Sequence, residues 1–204
     1  MKAESEKTSL IESQVQLASV MAEQIGLALS NLQLRLNLRE QAIHDPLTGL
    51  YNRYHLREAL EQELNEAQKN GAPVSVVMID LDYFKSLNTR YGHLNVDTLL
   101  GEFGRLMLSF THKREVALRY GGDEFVLLMP ETSVEQAAVR AEQFKRRVRQ
   151  LVVPLGDQTI ENLTLSIGIA GWPQHGSTFS ELLKAADAAL FRAKEFRDTV
   201  MIAG

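Results

Sequence analysis

An α+β fold built on a mixed β-sheet, preceded by an N-terminal coiled-coil helix, is what this sequence predicts, and three observations predict it. From residue 45 onward, short β-patterned apolar runs alternate with amphipathic helical segments. Two of the runs, "VSVVMID" (74 to 80) and "LTLSIGIA" (163 to 170), are apolar nearly throughout, as strands covered on both faces are. Two further runs, 115 to 120 and 124 to 129, flank Gly121-Gly122, a strong hairpin signal.

Each element has its own justification. Residues 9 to about 44 contain no Pro and a single Gly, with Ile11, Val15, Ala18, Ala22, Ile25, Leu29, Leu32 and Leu36 at spacings alternating three and four. That is a coiled-coil seam. A second apolar set (Leu17, Val20, Met21, Leu27, Leu34 and Leu38) lies off it, so the helix reads either as a parallel homodimer stalk with a missing upstream partner or as a helix lying on its own domain. The boundary falls between 1–44 and 45–204. Leu56, Ala59, Leu60, Leu64 and Ala67 then mark an amphipathic helix closed by Asn70-Gly71. After the run at 74 to 80 come a helix from about 95 to 111, the hairpin, and a helix from Val134 to about Leu151. The run at 163 to 170, a helix from about Thr178 to Glu195 and a short strand near Val200 complete the chain.

Composition narrows the function. The 204 residues are 45% hydrophobic, enough for a sizeable core. No apolar run approaches the roughly 20 residues of a membrane span, and "MKAESEKTSL" is too polar for a secretion signal, so the expected compartment is the cytoplasm. Zero cysteines exclude disulfides and thiolate chemistry. A net charge of −4 with both signs interspersed argues against a nucleic-acid footprint. The five histidines show no paired ligand spacing.

The acids carry the chemistry. Asp80 ends a run that reads as buried on both faces, and Asp123 and Glu124 directly follow Gly121-Gly122. A type I′ turn alone would explain both glycines, since its two central residues need positive φ. Carboxylates near a sheet core are costly unless paired or metal-bound, and no Lys or Arg adjoins Asp80 in sequence. Acids at the ends of neighbouring strands would make a hard-oxygen site for Mg²⁺ that leaves room for phosphate oxygens. The glycines would let a nucleotide approach the backbone.

"DPLTGLYNR" (45 to 53), "IDLDYFKSLNTRYGH" (79 to 93), "RYGGDEF" (119 to 125), "LSIGIA" (165 to 170) and "ADAALFRAK" (186 to 194) occur in this order, and together they resemble the GGDEF family of diguanylate cyclases over residues 41 to 203. The resemblance implies a palm-like nucleotidyl cyclase fold and condensation of two GTP into cyclic di-GMP and two pyrophosphates across a dimer. It implies Mg²⁺ or Mn²⁺ on Asp80, Asp123, Glu124 and the Leu81 carbonyl, with phosphates cradled by the Asp82, Tyr83 and Phe84 amides and by Lys85 and Lys194. Gly121 and Gly122 would line the nucleotide, and Asn88 and Asp97 match the guanine-reading pair. Read by themselves, Lys85 is a solvated helix residue, Asn88 a cap and Asp97 a helix-start acid. The segment "LASVMAEQIGLALSNLQL" resembles the last helix of a GAF sensor domain.

Departures from the family pattern set further expectations. Val96 stands where a Gly is usual and is expected to narrow the guanine pocket. The stretch after Lys194, "EFRDT", lacks the usual Gly, leaving Arg197 as the candidate phosphate ligand. The product-inhibition motif Arg-x-x-Asp is replaced by His112 and Glu115, with Gln143 at the expected position of its second arginine and Arg114 as a shifted substitute. The rival readings are a non-catalytic module binding GTP or cyclic di-GMP as receptor or scaffold, a cyclase of altered base choice, and a dimerisation module acting through the helix alone.

Overall fold

The computed structural model describes residues 21–34 and 43–204. Residues 21–34 form a helix, α1, carrying Ala22, Ile25, Leu29 and Leu32 of the expected seam, all exposed. The seam positions Ile11, Val15, Ala18 and Leu36 and the flanking Leu17, Val20 and Leu38 lie outside the described residues. No helix among the described residues is long and apolar enough to cross a membrane. Contacts separate the helical segment from a second unit, Ile43–Gly204.

That second unit is a six-stranded mixed sheet in the order β1-β3-β4-β2-β7-β8. The strands are β1 (Tyr51–Asn52), β2 (Val74–Leu81), β3 (Val116–Gly121), β4 (Glu124–Pro130), β7 (Leu165–Trp172) and β8 (Val200–Ile202). β2 lies at the centre, antiparallel to both β4 and β7, and is buried along its whole length, as its apolar run predicts. The helices are α2 (Arg53–Asn70), α3 (Phe84–Tyr91), α4 (His93–Phe110), α5 (Val134–Arg149) and α6 (Phe179–Phe196). A small hairpin, β5 (Val153–Leu155) with β6 (Gln158–Ile160), stands apart from the main sheet.

Strand periodicity assigns each side chain to a layer. Val77, Ile79 and Leu81 of β2 and Phe125, Leu127 and Met129 of β4 pack in one core with α4 and α5. Val76, Met78, Val126 and Leu128 pack in the other, against α2 and α6. The α2 stripe lies where the spacing places it, and Gly71 closes that helix at φ 72°. Gly168 on β7 is indispensable to the second layer, because a Cβ there would meet the Leu190 amide nitrogen of α6 at 2.2 Å.

Three sequence expectations need correction. The signature turn is not centred on Gly121-Gly122: Gly121 pairs with Glu124, and Gly122 and Asp123 form the loop. Only Gly122 of the two glycines has positive φ (54°), so the turn is not type I′. A register shift between Arg119 and Gly121 moves the turn one residue along. Helix α3 was not expected as an element; it buries no residue, so it has no apolar stripe to announce it. The Val96 side chain is 1% exposed, turned into the core with Leu99 and Leu100 and away from the surface on which Asp97, a residue further round α4, is exposed.

Candidate functional site

The even-numbered face of β2 that carries Val76 and Met78 continues to Asp80 at the strand's end. Asp80 is directly opposite Glu124 of β4, whose side chain lies on the same face. Asp123, in the loop before Glu124, accepts from the Leu81 amide through its carbonyl (3.3 Å). Three carboxylates therefore gather where the central strand β2 and its neighbour β4 meet the hairpin loop. Their cation comes from α6: Lys194 Nζ lies 2.6 Å from Asp80 and 3.6 Å from Glu124. The close approach of α6 at Gly168 brings that helix's last turn to the acids.

One lysine does not neutralise three acids. Burial pushes the Asp80 carboxyl up to about 6; the Lys194 hydrogen bond opposes the rise and the Asp123 and Glu124 charges add to it. Burial of Lys194 works against its charge, yet the same carboxylates hold its pKa above the ordinary value. A divalent cation would relieve this like-charge crowding, so the donor set fits one. Among the described residues no three acid or histidine side chains close into a ready cage. That suits Mg²⁺, usually held by one or two carboxylates together with phosphate oxygens.

Beyond Leu81 the chain leaves the sheet. Asp82 is 6% exposed, and its carboxylate accepts from Thr164 Oγ1 and Ser166 Oγ, each at 2.7 Å, and from the Asp198 amide at 2.9 Å. Its own amide donates to the Thr164 carbonyl at 3.0 Å, so it is not available to a phosphate, contrary to the sequence expectation. Tyr83 (φ 59°) and Phe84 open α3, where amides lack intrahelical acceptors. The Arg197 guanidinium stacks 3.7 Å from the Tyr83 ring centre. Lys85 is exposed, and Asn88 turns its amide back toward the Phe84 carbonyl at 3.5 Å. The space over Gly121 and Gly122 is open.

The structure thus joins Asp80, Glu124 and Lys194 directly, with Leu81 and Asp123 beside them, and joins Tyr83 to Arg197. Lys85, Asn88 and Asp97 stay outside that contact network, on α3 and α4. Sequence reasoning missed a second tie: Arg119 donates to the Gly122 carbonyl (2.8 Å) and pairs with Asp45 at 3.3 Å. Burial raises the Asp45 carboxyl, but hydrogen bonds from Thr48 and the Arg119 charge outweigh it and hold its pKa below the ordinary value.

The His112–Glu115 turn also differs from expectation. Glu115 is gripped by Arg140 of α5, which donates in addition to the Phe110 carbonyl (3.1 Å), while Gln143, one turn further along, is exposed. Arg114 pairs with Glu131 and has Glu63 and Glu66 within 3.9 Å. A hollow of about 560 Å³ opens among these groups, with its charges already paired.

A six-stranded sheet with acids at the end of its central strand and at the Gly122-Asp123 loop, beside one lysine, is a site that fits a divalent cation and phosphate oxygens. Residues 42–198 match the diguanylate cyclase GGDEF domain, and the chain belongs to that family. Over 157 residues it is 37% identical to the response regulator PleD of Caulobacter vibrioides, covering 76% of this chain and 34% of PleD. The chain therefore spans about a third of that relative. Among solved structures, the coiled coil and GGDEF domain of DgcB from Caulobacter crescentus, in complex with c-di-GMP, is 26% identical with a TM-score of 0.80, covering 93% of this chain and 98% of that one. Diguanylate cyclase SiaD from Pseudomonas aeruginosa, in complex with its activator SiaC, is 34% identical with a TM-score of 0.76, covering 98% of this chain and 78% of SiaD.

Proposed function

We propose that this chain is a catalytic GGDEF module, a cytoplasmic diguanylate cyclase that condenses two GTP into cyclic di-GMP and two pyrophosphates. The observation that carries the reading is the convergence of Asp80, Asp123 and Glu124 where β2 and β4 meet the hairpin loop, with Lys194 as their sole close cation among the described residues. Bound there, Mg²⁺ or Mn²⁺ supplies charge neutralisation for the attacking and leaving oxygens. Asp80, Asp123, Glu124 and the Leu81 carbonyl hold it. The Tyr83 and Phe84 amides with Lys85, Lys194 and Arg197 hold the triphosphate, and Asn88 and Asp97 read guanine through its N1 and N2 donors. Open backbone at Gly121 and Gly122 leaves room for the nucleotide. Phosphoryl chemistry of this kind depends on positioning more than on covalent help.

Each subunit contributes one GTP, so two copies must meet. Residues 1–44 serve as the dimerising signalling helix, carrying input from an upstream sensor of GAF type, and residues 45–204 as the cyclase domain. The exposed seam of Ile25, Leu29 and Leu32 and the resemblance to a coiled-coil-bearing relative support this arrangement. Incubation with GTP and Mg²⁺, followed by product chromatography, tests the reading. Cyclic di-GMP is expected, and Asp123→Asn should abolish it while leaving the fold intact. Binding of GTP without turnover in a verified dimer would favour a receptor role instead.

A further inference from the structure

Arg197 and Asp198, which follow α6, adopt positive φ in succession, 57° and 45°. Positive φ at two consecutive non-glycine residues is strained, the more so at Arg197, whose ψ of 167° lies in a region essentially restricted to glycine, and it persists only where the surroundings over-determine it. Here they do. The Asp198 amide donates to the buried Asp82 carboxylate at 2.9 Å, and Asp82 is itself fixed by Thr164 and Ser166. The Asp198 carbonyl accepts from Lys145 Nζ, whose ammonium also lies 3.6 Å from Asp198 Oδ1, and Arg149 pairs with Oδ2. Lys145 is only 6% exposed, on the side of α5 that otherwise packs apolar residues into the core.

A buried lysine spent on a surface turn calls for a reason, and what the turn places supplies one. It stops α6 two residues after Lys194, redirects the chain into β8, and leaves the Arg197 guanidinium stacked on Tyr83. The last turn of α6 therefore presents one cation to the carboxylates and another to the loop that opens α3. We propose that Asp198, held by Lys145, Arg149 and Asp82, is a positioning residue that sets Arg197 over the Tyr83–Phe84 loop to meet the triphosphate of the bound nucleotide. This rests on the GTP reading of the site.

Calorimetry with a non-hydrolysable GTP analogue and Mg²⁺ tests it on the whole chain. Arg197→Ala should weaken binding about tenfold, the worth of one charge-assisted contact. Asp198→Gly removes the carboxylate while tolerating the left-handed backbone, and should weaken binding at least about threefold. In the Arg197→Ala background, Asp198→Gly should add nothing, because its effect acts through the guanidinium. Lys145→Met should behave likewise, with the more exposed Arg149→Ala as a milder variant should the buried change impair folding. Unchanged binding in Asp198→Gly, or an equal loss with and without Arg197, overturns the positioning role while leaving the GTP reading intact. A wild-type protein that binds no analogue overturns the GTP reading and this proposal with it.

Discussion

Replacing Asp80 with Asn should stabilise the metal-free protein while destroying its chemistry. A rise of the carboxyl from 3.8 to about 6 corresponds to about 3 kcal/mol of unfavourable ionisation in the folded state at neutral pH. That figure already contains the relief given by Lys194, so Asn, which mimics the neutral carboxyl and leaves Lys194 with Glu124 at 3.6 Å, recovers the part of it that solvent screening does not remove. The expected net gain is about 1–2 kcal/mol, or roughly 2–8 °C in Tm for a domain of this size. The sign with pH follows from linkage. Stability contributed by protonated Asp80 is fully present below pH 3.8 and lost as pH rises through about 6, so the variant's advantage should grow across that window. Thermal melts by circular dichroism, in chelator, at pH values from 4 to 8, measure it. Saturating Mg²⁺ should raise the Tm of the wild type and not of the variant. A variant that melts below wild type at pH 8, or at a constant offset across the range, would refute the claim that burial and like charge crowd this carboxylate.

Gly168→Ala should destabilise the domain by about 1–3 kcal/mol in denaturant titrations, since its methyl collides with α6 backbone, and should raise the KM for GTP by displacing Lys194. Unchanged stability would mean that α6 can shift freely. Arg119→Ala should cost about 1–3 kcal/mol and lower kcat, because the Gly122 carbonyl and Asp45 lose a half-buried partner. A full-rate enzyme would show that the hairpin holds its own shape. Micromolar cyclic di-GMP should not inhibit turnover through the His112 hollow, where Arg140 is committed to Glu115 and Arg114 to Glu131. Inhibition relieved by Arg140→Ala would contradict this.

Periodicity alone determined much of this protein. The unbroken apolar run of β2 announced a central strand, and Leu56, Ala59, Leu60, Leu64 and Ala67 announced the buried face of α2, because burial repeats every 2 or 3.6 residues wherever a layer covers an element. Asp80, Asp123 and Glu124 stood out for the same reason, as charges interrupting a pattern that should exclude them. Polar Thr164 and Ser166, alternating in the apolar run 163 to 170, were an unread signal of the same kind, and both donate to Asp82. Lys145 on the core-facing side of α5 was another. Only the tertiary structure decided which groups meet: Lys194 with Asp80, Asp198 with Asp82, Arg119 with Asp45, and Arg140 with Glu115. It also turned Val96 into the core and moved the hairpin loop to Gly122-Asp123. Contacts between side chains distant in sequence leave no periodic trace, since each partner is locally an ordinary surface charge, and a single bulge shifts register without changing composition.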